Sequence, residues 1–242
     1  MRECTTAYDA YEYHRVYQLC SQFCAVTLSA VYHDVLKDRL YTLRSDHPLR
    51  RSSQTAIHHI FHTLVKILAP ILTFTADEAW CHATFKADFA PADLITQKDP
   101  RVSIHLQDWP TGVDSWIQPE IEAEVTALLE VRRRVNEAIE PLRAAGKLGK
   151  SLDAAVTLAT GDASLTRILE KHRDFLPELF IVSHVDLGVS PAPSSSSVTV
   201  SVRHAQELGF VRCPRCWRWV PALEKSPQGE DVCPRCRDAL NE

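Results

Sequence analysis

The 242-residue sequence predicts a mainly α fold, in which a helical bundle is followed by a small α+β unit and a compact cysteine-rich segment. Over most of the first 145 residues, apolar side chains recur every three or four positions, which is the period of a helix buried along one face. Shorter runs rich in β-branched residues follow. Two close cysteine pairs stand near the C-terminus.

The first predicted helix covers residues 11–40. Its apolar positions, which we expect to be buried, include Val16, Leu19, Cys20, Phe23, Val26, Val31 and Val35. Cys20 and Cys24 fall on this stripe, so we interpret both as packed core thiols.

Two further helices are predicted before residue 86. One starts at about Ser52 and must end or kink at Pro70, because proline lacks the amide hydrogen that a helix needs. The next begins at Thr75, where Thr75 and Glu78 have capping-box spacing, and it continues to Phe85. Residues 86–118 are interrupted by prolines and are predicted to be mostly loop.

A long helix is predicted over residues 119–145, with Gly146 as its stop. Its expected buried stripe consists of Ile121, Val125, Leu128, Val135, Ile139 and Leu142. The α+β unit follows, with strands predicted at 154–159, 179–187 and 198–202 and a helix at 164–176. The Ser- and Pro-rich residues 190–197 are predicted to form a flexible connector.

The charge balance does not indicate a nucleic-acid binder, because 27 Lys and Arg residues against 31 Asp and Glu residues give a net charge of −4. Any such function must therefore depend on local basic patches. We expect no membrane span, since no uninterrupted apolar run approaches the roughly 20 residues that a bilayer requires. The N-terminus lacks the pattern of a signal peptide, so the expected location is the cytoplasm.

The strongest motif is a pair of Cys-Pro-Arg-Cys sequences separated by sixteen residues, with the cysteines at positions Cys213, Cys216, Cys233 and Cys236. Two such pairs at this separation are typical of a zinc site, because each tight turn directs two thiolates at one point. Four cysteine ligands leave no position for water, so we predict one structural zinc ion.

The first cysteine pair is surrounded by cationic and aromatic side chains, namely Arg212, Arg215, Trp217, Arg218 and Trp219, and no acidic residue interrupts this stretch. Guanidinium groups bind phosphate and indoles stack on unpaired bases, which favours single-stranded RNA. An alternative for each indole is packing beneath the finger, which we expect of at least one.

Three other patterns resemble functional motifs. Residues 146–151 nearly form a phosphate-binding loop, but Ala144 replaces its first glycine and the segment follows a helix, so we interpret it as a helix end. His58 and His62 are one turn apart without an evident third metal ligand, so we interpret them as surface or interface residues. Arg132 to Arg134 form either a solvated helix face or a phosphate contact.

Several segments resemble the class I aminoacyl-tRNA synthetases. Lys-Asp-Arg-Leu-Tyr at 37–41, the segment at 50–56 and the Ala-Pro-Ile to Trp run at 68–80 are similar to the anticodon domain that the isoleucyl, valyl and leucyl enzymes share. The segments at 131–136 and 149–158, together with the terminal Cys-Pro-Arg-Cys-Trp, resemble the bacterial-type isoleucyl-tRNA synthetases in particular.

This resemblance implies a helical anticodon-binding bundle at residues 1–118, a connecting helix at 119–149, a small α+β domain at 150–207 and a zinc finger at 208–242. It also implies recognition of the anticodon stem-loop of tRNA-Ile, beside the catalytic and editing domains of a full-length enzyme. The predicted zinc ligands are Cys213, Cys216, Cys233 and Cys236. The predicted tRNA contacts are Arg132, Arg133, Lys147, Lys150, Arg215, Trp217, Arg218 and Trp219.

The chain departs from the full family pattern in several respects. The editing domain is missing, and the chain begins partway into the first bundle helix, so we expect the bundle to be truncated at its start. The nucleotide-binding signatures of a catalytic domain do not occur, and Met1 is the one methionine, so the Lys-Met-Ser-Lys-Ser signature cannot be present. We therefore expect a fragment that is inactive alone, with ATP used in the full-length enzyme. The alternative functions are a DNA-binding zinc-finger module and a purely structural domain that docks on the catalytic body.

Overall fold

The computed structural model describes residues 1–85, 103–112, 114–188 and 198–241, and the chain divides into two compact units. The first unit comprises Met1–Asp34 and Arg51–Ile117, and the second comprises Val35–Arg50 and Gln118–Glu242. The connector at 190–197 and most of the loop at 86–118 lie outside the described residues, and the fourfold domain division remains a prediction.

The N-terminal half is helical, as predicted. Its helices are α1 (Arg2–Asp9), α2 (Tyr13–Gln22), a π-helical segment (Phe23–His33), α3 (Asp34–Thr42), α4 (Pro48–Leu68) and α5 (Thr73–Phe85). The prediction of one helix from residue 11 is wrong at its start, because the chain breaks at Tyr11, whose φ of 59° is left-handed. Helix α1, which precedes this break, was not predicted.

The predicted buried stripe of the first helix is only partly buried. Val16 and Cys20 are buried, whereas Phe23 is 38% exposed and Val26 is 56% exposed. The physical reason is the π-helical segment, whose wider turn moves residues spaced for an α-helix off a common face. Burial raises the pKa of the Cys20 thiol to about 12, which agrees with a packed core thiol.

Helices α4 and α5 start earlier than predicted. Helix α5 begins at Thr73, so Thr75 lies inside it and the capping-box interpretation is wrong. Asp77 instead accepts hydrogen bonds from Ser103 Oγ at 2.7 Å and from the Ile104 amide at 2.9 Å. The first unit has two apolar clusters, one containing Val16 and the other containing Val65, Ala76, Trp80 and Ile104.

One helical run in the described part of the chain, Tyr13–Thr42, is long and apolar enough to cross a membrane by length and composition. This run was not predicted as a membrane span, because polar residues interrupt it. Only 22% of its most apolar window is buried. A single helix that meets this test is weak evidence for a membrane span, so this finding assigns none.

The second unit is built on α6 (Pro119–Ala144), which matches its predicted bounds within one residue. Leu128, Val135 and Ile139 are buried in its core, as predicted. Ile121 and Val125 are exposed, so the predicted stripe is wrong in the first turns of the helix. Gly146 stops the helix in the left-handed conformation, with φ at 69°.

A three-stranded sheet packs beside α6. Its elements, with the helices between them, are β1 (Ala154–Ala159), α7 (Ala163–Lys171), α8 (Leu176–Phe180), β2 (His184–Leu187) and β3 (Thr199–His204). The strand order is β2-β1-β3, with β2 parallel and β3 antiparallel to β1. The strand predicted from residue 179 starts later, because Leu179 and Phe180 are helical core residues and Ile181 ends α8 in the left-handed conformation.

The C-terminal segment forms two small hairpins and a helix, which are β4 (Val211–Arg212), β5 (Trp219–Val220), β6 (Glu224–Lys225), β7 (Asp231–Val232) and α9 (Pro234–Leu240). A separate buried cluster holds them together, and the four cysteines supply most of it. A segment this small has little apolar core, so a metal ion is the expected source of its stability.

Candidate zinc centre and nucleic-acid surface

The four cysteines of the two Cys-Pro-Arg-Cys pairs converge on one point. Their sulfur atoms all lie within 4.8 Å of one another, and all four side chains are buried. The Sγ atoms of Cys216 and Cys233 are 3.7 Å apart. Tetrahedral zinc with Zn–S bonds of about 2.3 Å requires sulfur separations of about 3.8 Å, so this donor set fits one zinc ion.

The two cysteine pairs are held by different local structures. The first pair occupies the turn between β4 and β5, where the Trp217 amide donates to the Cys213 carbonyl at 2.9 Å and the Cys213 amide donates to the Arg218 carbonyl at 2.8 Å. The second pair spans the start of α9, where Pro234 is the first helical residue and lacks an amide that would be unpaired there.

The clustered thiols differ in how readily they ionise. Hydrogen bonds from the Cys233 and Cys236 thiols hold the pKa of the Cys216 thiol far below its ordinary value. The hydrogen bond with Cys216 raises the pKa of the Cys233 thiol to about 11. Thiolate is the form that binds metal, so a zinc ion would release the protons of the remaining thiols on binding. A closed four-sulfur site would give that ion a structural role.

Trp217 is the exposed aromatic side chain of the centre. It follows Cys216 directly, its φ is 67°, and it is 49% exposed. Lys150 Nζ lies 4.3 Å from the centroid of its ring, and the Arg212 guanidinium lies 5.8 Å from it. An exposed indole with cations beside it can stack on an unpaired base while the cations attract phosphate.

Trp219 has a packing role, as expected for at least one of the two indoles. Its Nε1 donates to Asp153 Oδ1 at 3.0 Å, and its amide donates to Ser183 Oγ at 2.7 Å. Burial alone would raise the pKa of Asp153, but the hydrogen bonds from Trp219 and from the Lys150 amide outweigh it and lower that pKa. These contacts join the finger to the α+β part of the unit.

Two of the arginines that the sequence suggested as phosphate contacts point inward. Arg215 Nη1 donates to the Thr42 carbonyl at 2.7 Å, and Arg218 Nη2 donates to Asp38 Oδ2 at 3.2 Å. The Arg218 side chain is only 18% exposed. In this arrangement both side chains bind the protein itself.

The cationic side chains outside the finger also differ in how accessible they are to a nucleic acid. Arg132 is buried, at 8% exposure, so it cannot lie on an RNA-facing surface in this conformation. Arg133 is exposed but pairs with Glu130 and Glu137 on its own helix. Lys147 and Lys150 are both exposed, beyond the end of α6.

Two residues were missed among the predicted site residues. Arg212 was noted beside the tryptophans but was not included as a contact, although its position directly before Cys213 places it at the finger. Asp38 was quoted only as part of the segment 37–41, and its role was not predicted, because its partner Arg218 is 180 residues away in sequence.

The structure also describes two of the other motifs. Residues 146–151 follow helix α6, as expected for a helix end. The rings of His58 and His62 are 4.1 Å apart, but among the described residues no group of three possible metal ligands includes them.

Comparisons with known proteins agree with this geometry. Residues 1–158 match the family model described as the anticodon-binding domain of tRNA ligase. Residues 212–239 match a second model, described as a zinc finger found in FPG and IleRS, and this segment contains all four clustered cysteines.

Similar proteins cover nearly the whole chain. The isoleucine–tRNA ligase of Thermotoga petrophila is 37% identical over 242 residues, which is 99% of this chain and 25% of that protein. Those of Fervidobacterium nodosum and Natranaerobius thermophilus are each 36% identical over 99% and 98% of the chain, respectively. The chain therefore spans about a quarter of the length of these relatives.

Proposed function

We propose that this chain, which belongs to the anticodon-binding domain family of tRNA ligases, binds the anticodon stem-loop of tRNA-Ile. The names of its relatives support isoleucine as the amino acid, since each is an isoleucine–tRNA ligase. In a protein of their length, this recognition would serve ATP-dependent aminoacylation of the tRNA. The chemistry would belong to the catalytic domain, with the editing domain as a further partner.

The single observation that carries the proposal is the environment of Trp217. A half-exposed indole on a rigid, zinc-held turn, with Lys150 Nζ 4.3 Å from its ring, is suited to an unpaired base and its phosphate. An anticodon loop supplies such bases, whereas the paired bases of a duplex are not available for stacking.

The exposed cations near this indole have a positioning role in the proposal. Lys147, Lys150 and Arg212 would contact the phosphates, while stacking and hydrogen bonding at the bases would discriminate among tRNAs. We leave Arg132, Arg215 and Arg218 out of the RNA surface, because each is buried or bound within the protein.

We propose the following arrangement for the rest of the chain. Residues 1–118 form the anticodon-binding bundle, 119–149 the connecting helix, 150–207 the α+β domain and 208–242 the zinc finger. The protein acts in the cytoplasm, without a membrane partner.

The test is binding of the zinc-loaded chain to isoleucine tRNA and, in parallel, to methionine tRNA. We expect a preference for isoleucine tRNA that Trp217→Ala reduces by roughly tenfold, since stacking contributes about 1–3 kcal/mol per base. Ile121→Ala is the matched control, because Ile121 is a comparably exposed apolar side chain, at 51%, but lies in the first turns of the connecting helix, away from the proposed RNA contacts.

Repeating the measurement at several salt concentrations separates the contribution of phosphate contacts, which depends on salt, from that of base stacking. With about three phosphate contacts, log K should fall with log salt at a slope near −2 to −3. Equal binding of both tRNAs, or an equal effect of the Ile121 and Trp217 variants, would contradict the proposal.

A further inference from the structure

We propose that Asp38 is a positioning residue that fixes the zinc finger on helix α3 and so sets the orientation of Trp217. Its carboxylate is the point at which three parts of the second unit meet, namely α3, the first cysteine turn and helix α9. The link to RNA rests on the proposed function, whereas the link between α3 and zinc does not.

The Asp38 carboxylate forms ion pairs with two arginines, Arg218 and Arg235. Arg235 binds it with both arms of the guanidinium group, with Nη2 2.8 Å from Oδ1 and Nη1 hydrogen-bonded to Oδ2. Arg218 donates to Oδ2 at 3.2 Å. The side chains of Asp38, Arg218 and Arg235 are 19%, 18% and 33% exposed, so all three are largely withdrawn from water.

A second contact joins the same helix to a metal ligand. Helix α3 ends at Thr42, and the last four carbonyls of a helix lack donors within that helix. Arg215 Nη1 donates to this carbonyl at 2.7 Å and approaches Cys236 Sγ at 3.5 Å. One guanidinium therefore contacts the end of α3 and a zinc ligand together.

The charges explain why these contacts depend on one another. Zinc with four thiolates carries a net charge of about −2, and Asp38 adds one more negative charge. Arg215, Arg218 and Arg235 supply the three balancing positive charges. Removing either the metal centre or Asp38 leaves cations unbalanced in a half-buried place, so each helps to hold the other.

The neighbouring residue Arg39 anchors α3 on another side. Arg39 pairs with Glu178 of helix α8, and its guanidinium lies 5.3 Å from the centroid of the Phe175 ring. Consecutive residues of α3 thus bind the finger and the α+β part of the unit. The helix is a fixed support against which Asp38 can hold the finger.

This support determines the position of Trp217, because Trp217 lies between the zinc ligand Cys216 and the Asp38 partner Arg218. Fixing both neighbours leaves the indole little freedom to move. Loss of Asp38 should release Arg218 and leave zinc in place, so the metal would be bound but Trp217 would be misplaced.

The experiment compares the wild-type chain with Asp38→Asn, and with Asp38→Glu as the conservative variant. Asp46→Asn is the matched control, since Asp46 is an exposed carboxylate that pairs with Arg44 in the same unit. Three quantities are measured for each variant: zinc content, amide hydrogen exchange at residues 35–42 and tRNA affinity. Each measurement is made with and without a zinc chelator. Trp217→Ala and the double variant with Asp38→Asn complete the set.

We expect Asp38→Asn to retain one zinc ion per chain and to exchange its α3 amides on the order of tenfold faster. Chelation should accelerate the wild-type amides similarly and the Asp38→Asn amides little further, while Asp38→Glu recovers part of the protection. Asp38→Asn and Trp217→Ala should weaken tRNA binding non-additively, which a general loss of stability would not produce.

The outcomes separate the two proposals. Wild-type exchange rates in zinc-loaded Asp38→Asn, or an equal change in Asp46→Asn, would overturn the role of Asp38. Additive effects on tRNA affinity would overturn its link to Trp217. Coupled exchange without tRNA binding by the wild type would support the link between Asp38 and zinc and overturn the proposed function.

Discussion

Trp217 and Trp219 carry the same side chain two positions apart, and the backbone gives the two rings different surroundings. The left-handed φ at Trp217 directs its indole outward, whereas Trp219 is part of β5 and its Nε1 binds Asp153. Residue type made both rings candidate RNA contacts and led us to expect that at least one would pack, without indicating which. Which of them packs depends on Asp153, a partner distant in sequence.

Replacing Trp219 by Phe tests its packing role. The change removes the hydrogen bond to Asp153 and leaves a partly buried carboxylate with one partner fewer, which should lower the free energy of unfolding by about 1.5–3 kcal/mol. Trp217→Phe is the control and should change it by less than about 0.5 kcal/mol, since that ring is half exposed. Urea unfolding measures both, and equal losses would contradict the assignment.

The partners of the finger arginines could not be predicted from the sequence around them. The spacing of the cysteines is sufficient to predict the metal centre, because ligand geometry is encoded within 24 residues of chain. Whether Arg218 faces RNA or protein depends on Asp38, 180 residues away, and no local pattern records that contact.

At the scale of single elements, the ends of helices follow known stop signals. Gly146 ends α6 with φ at 69°, and a Cβ built there would meet no atom within 4 Å. The prediction of this helix succeeded because its 3.6-residue period and its stop agree. The π-helical segment Phe23–His33 was not predictable, because its sequence fits an α-helix equally well.

Gly146→Ala should therefore lower the free energy of unfolding by about 1–2 kcal/mol, entirely through the backbone conformation. Gly146→Asn is the matched variant and should lose less, because asparagine tolerates this conformation better. Thermal and urea unfolding measure the difference. Equal losses for the two variants would show that φ is not the cause.

Helix α4 introduces a pH dependence into the first unit. Burial, and then the neighbouring charge of His58, lower the pKa of His62 below its ordinary value of 6.5. The unfolded chain then binds a proton more readily than the folded chain, so the stability present above about pH 6.5 is lost as pH falls toward the lower folded pKa.

We expect the urea midpoint of unfolding to decrease as the pH is lowered from 7.5 to 5.5, and we expect this decrease to be smaller in His62→Gln. His47→Gln, which changes a histidine of the second unit, should keep the wild-type pH dependence. A rise in stability toward pH 5.5, or an identical slope in His62→Gln, would show that His62 is not the group responsible.

At the scale of the whole molecule, each unit has its own source of stability. Apolar clusters stabilise the first unit, and the α6 core stabilises most of the second, whereas the four cysteines dominate the finger. The order of helical bundle, α+β unit and finger was predictable from periodicity and from cysteine spacing. The division at Asp34 within a helical run was not, because the hydrophobic pattern continues through it.

Zinc removal should therefore have a local effect. We expect a chelator to expose residues 208–241 to protease, because the free energy of metal binding contributes directly to the folding of such a segment. Fragments cut within α1 and α2 should not increase, since their core contains no metal ligand in the described structure. Mass spectrometry of the digests locates the cuts, and uniform cleavage of the chain would contradict this view.

The inward-facing arginines of the finger have a consequence for how the protein finds its partner. A chain of net charge −4 whose Arg215, Arg218 and Arg235 are bound internally attracts polyanions only weakly over long distances. Encounters with the wrong nucleic acid would then be brief, and few molecules would be sequestered by abundant competing RNA. If the chain binds tRNA as proposed, discrimination among tRNAs arises from the shape and stacking of a few bases rather than from long-range electrostatic attraction, and association is slower as a result.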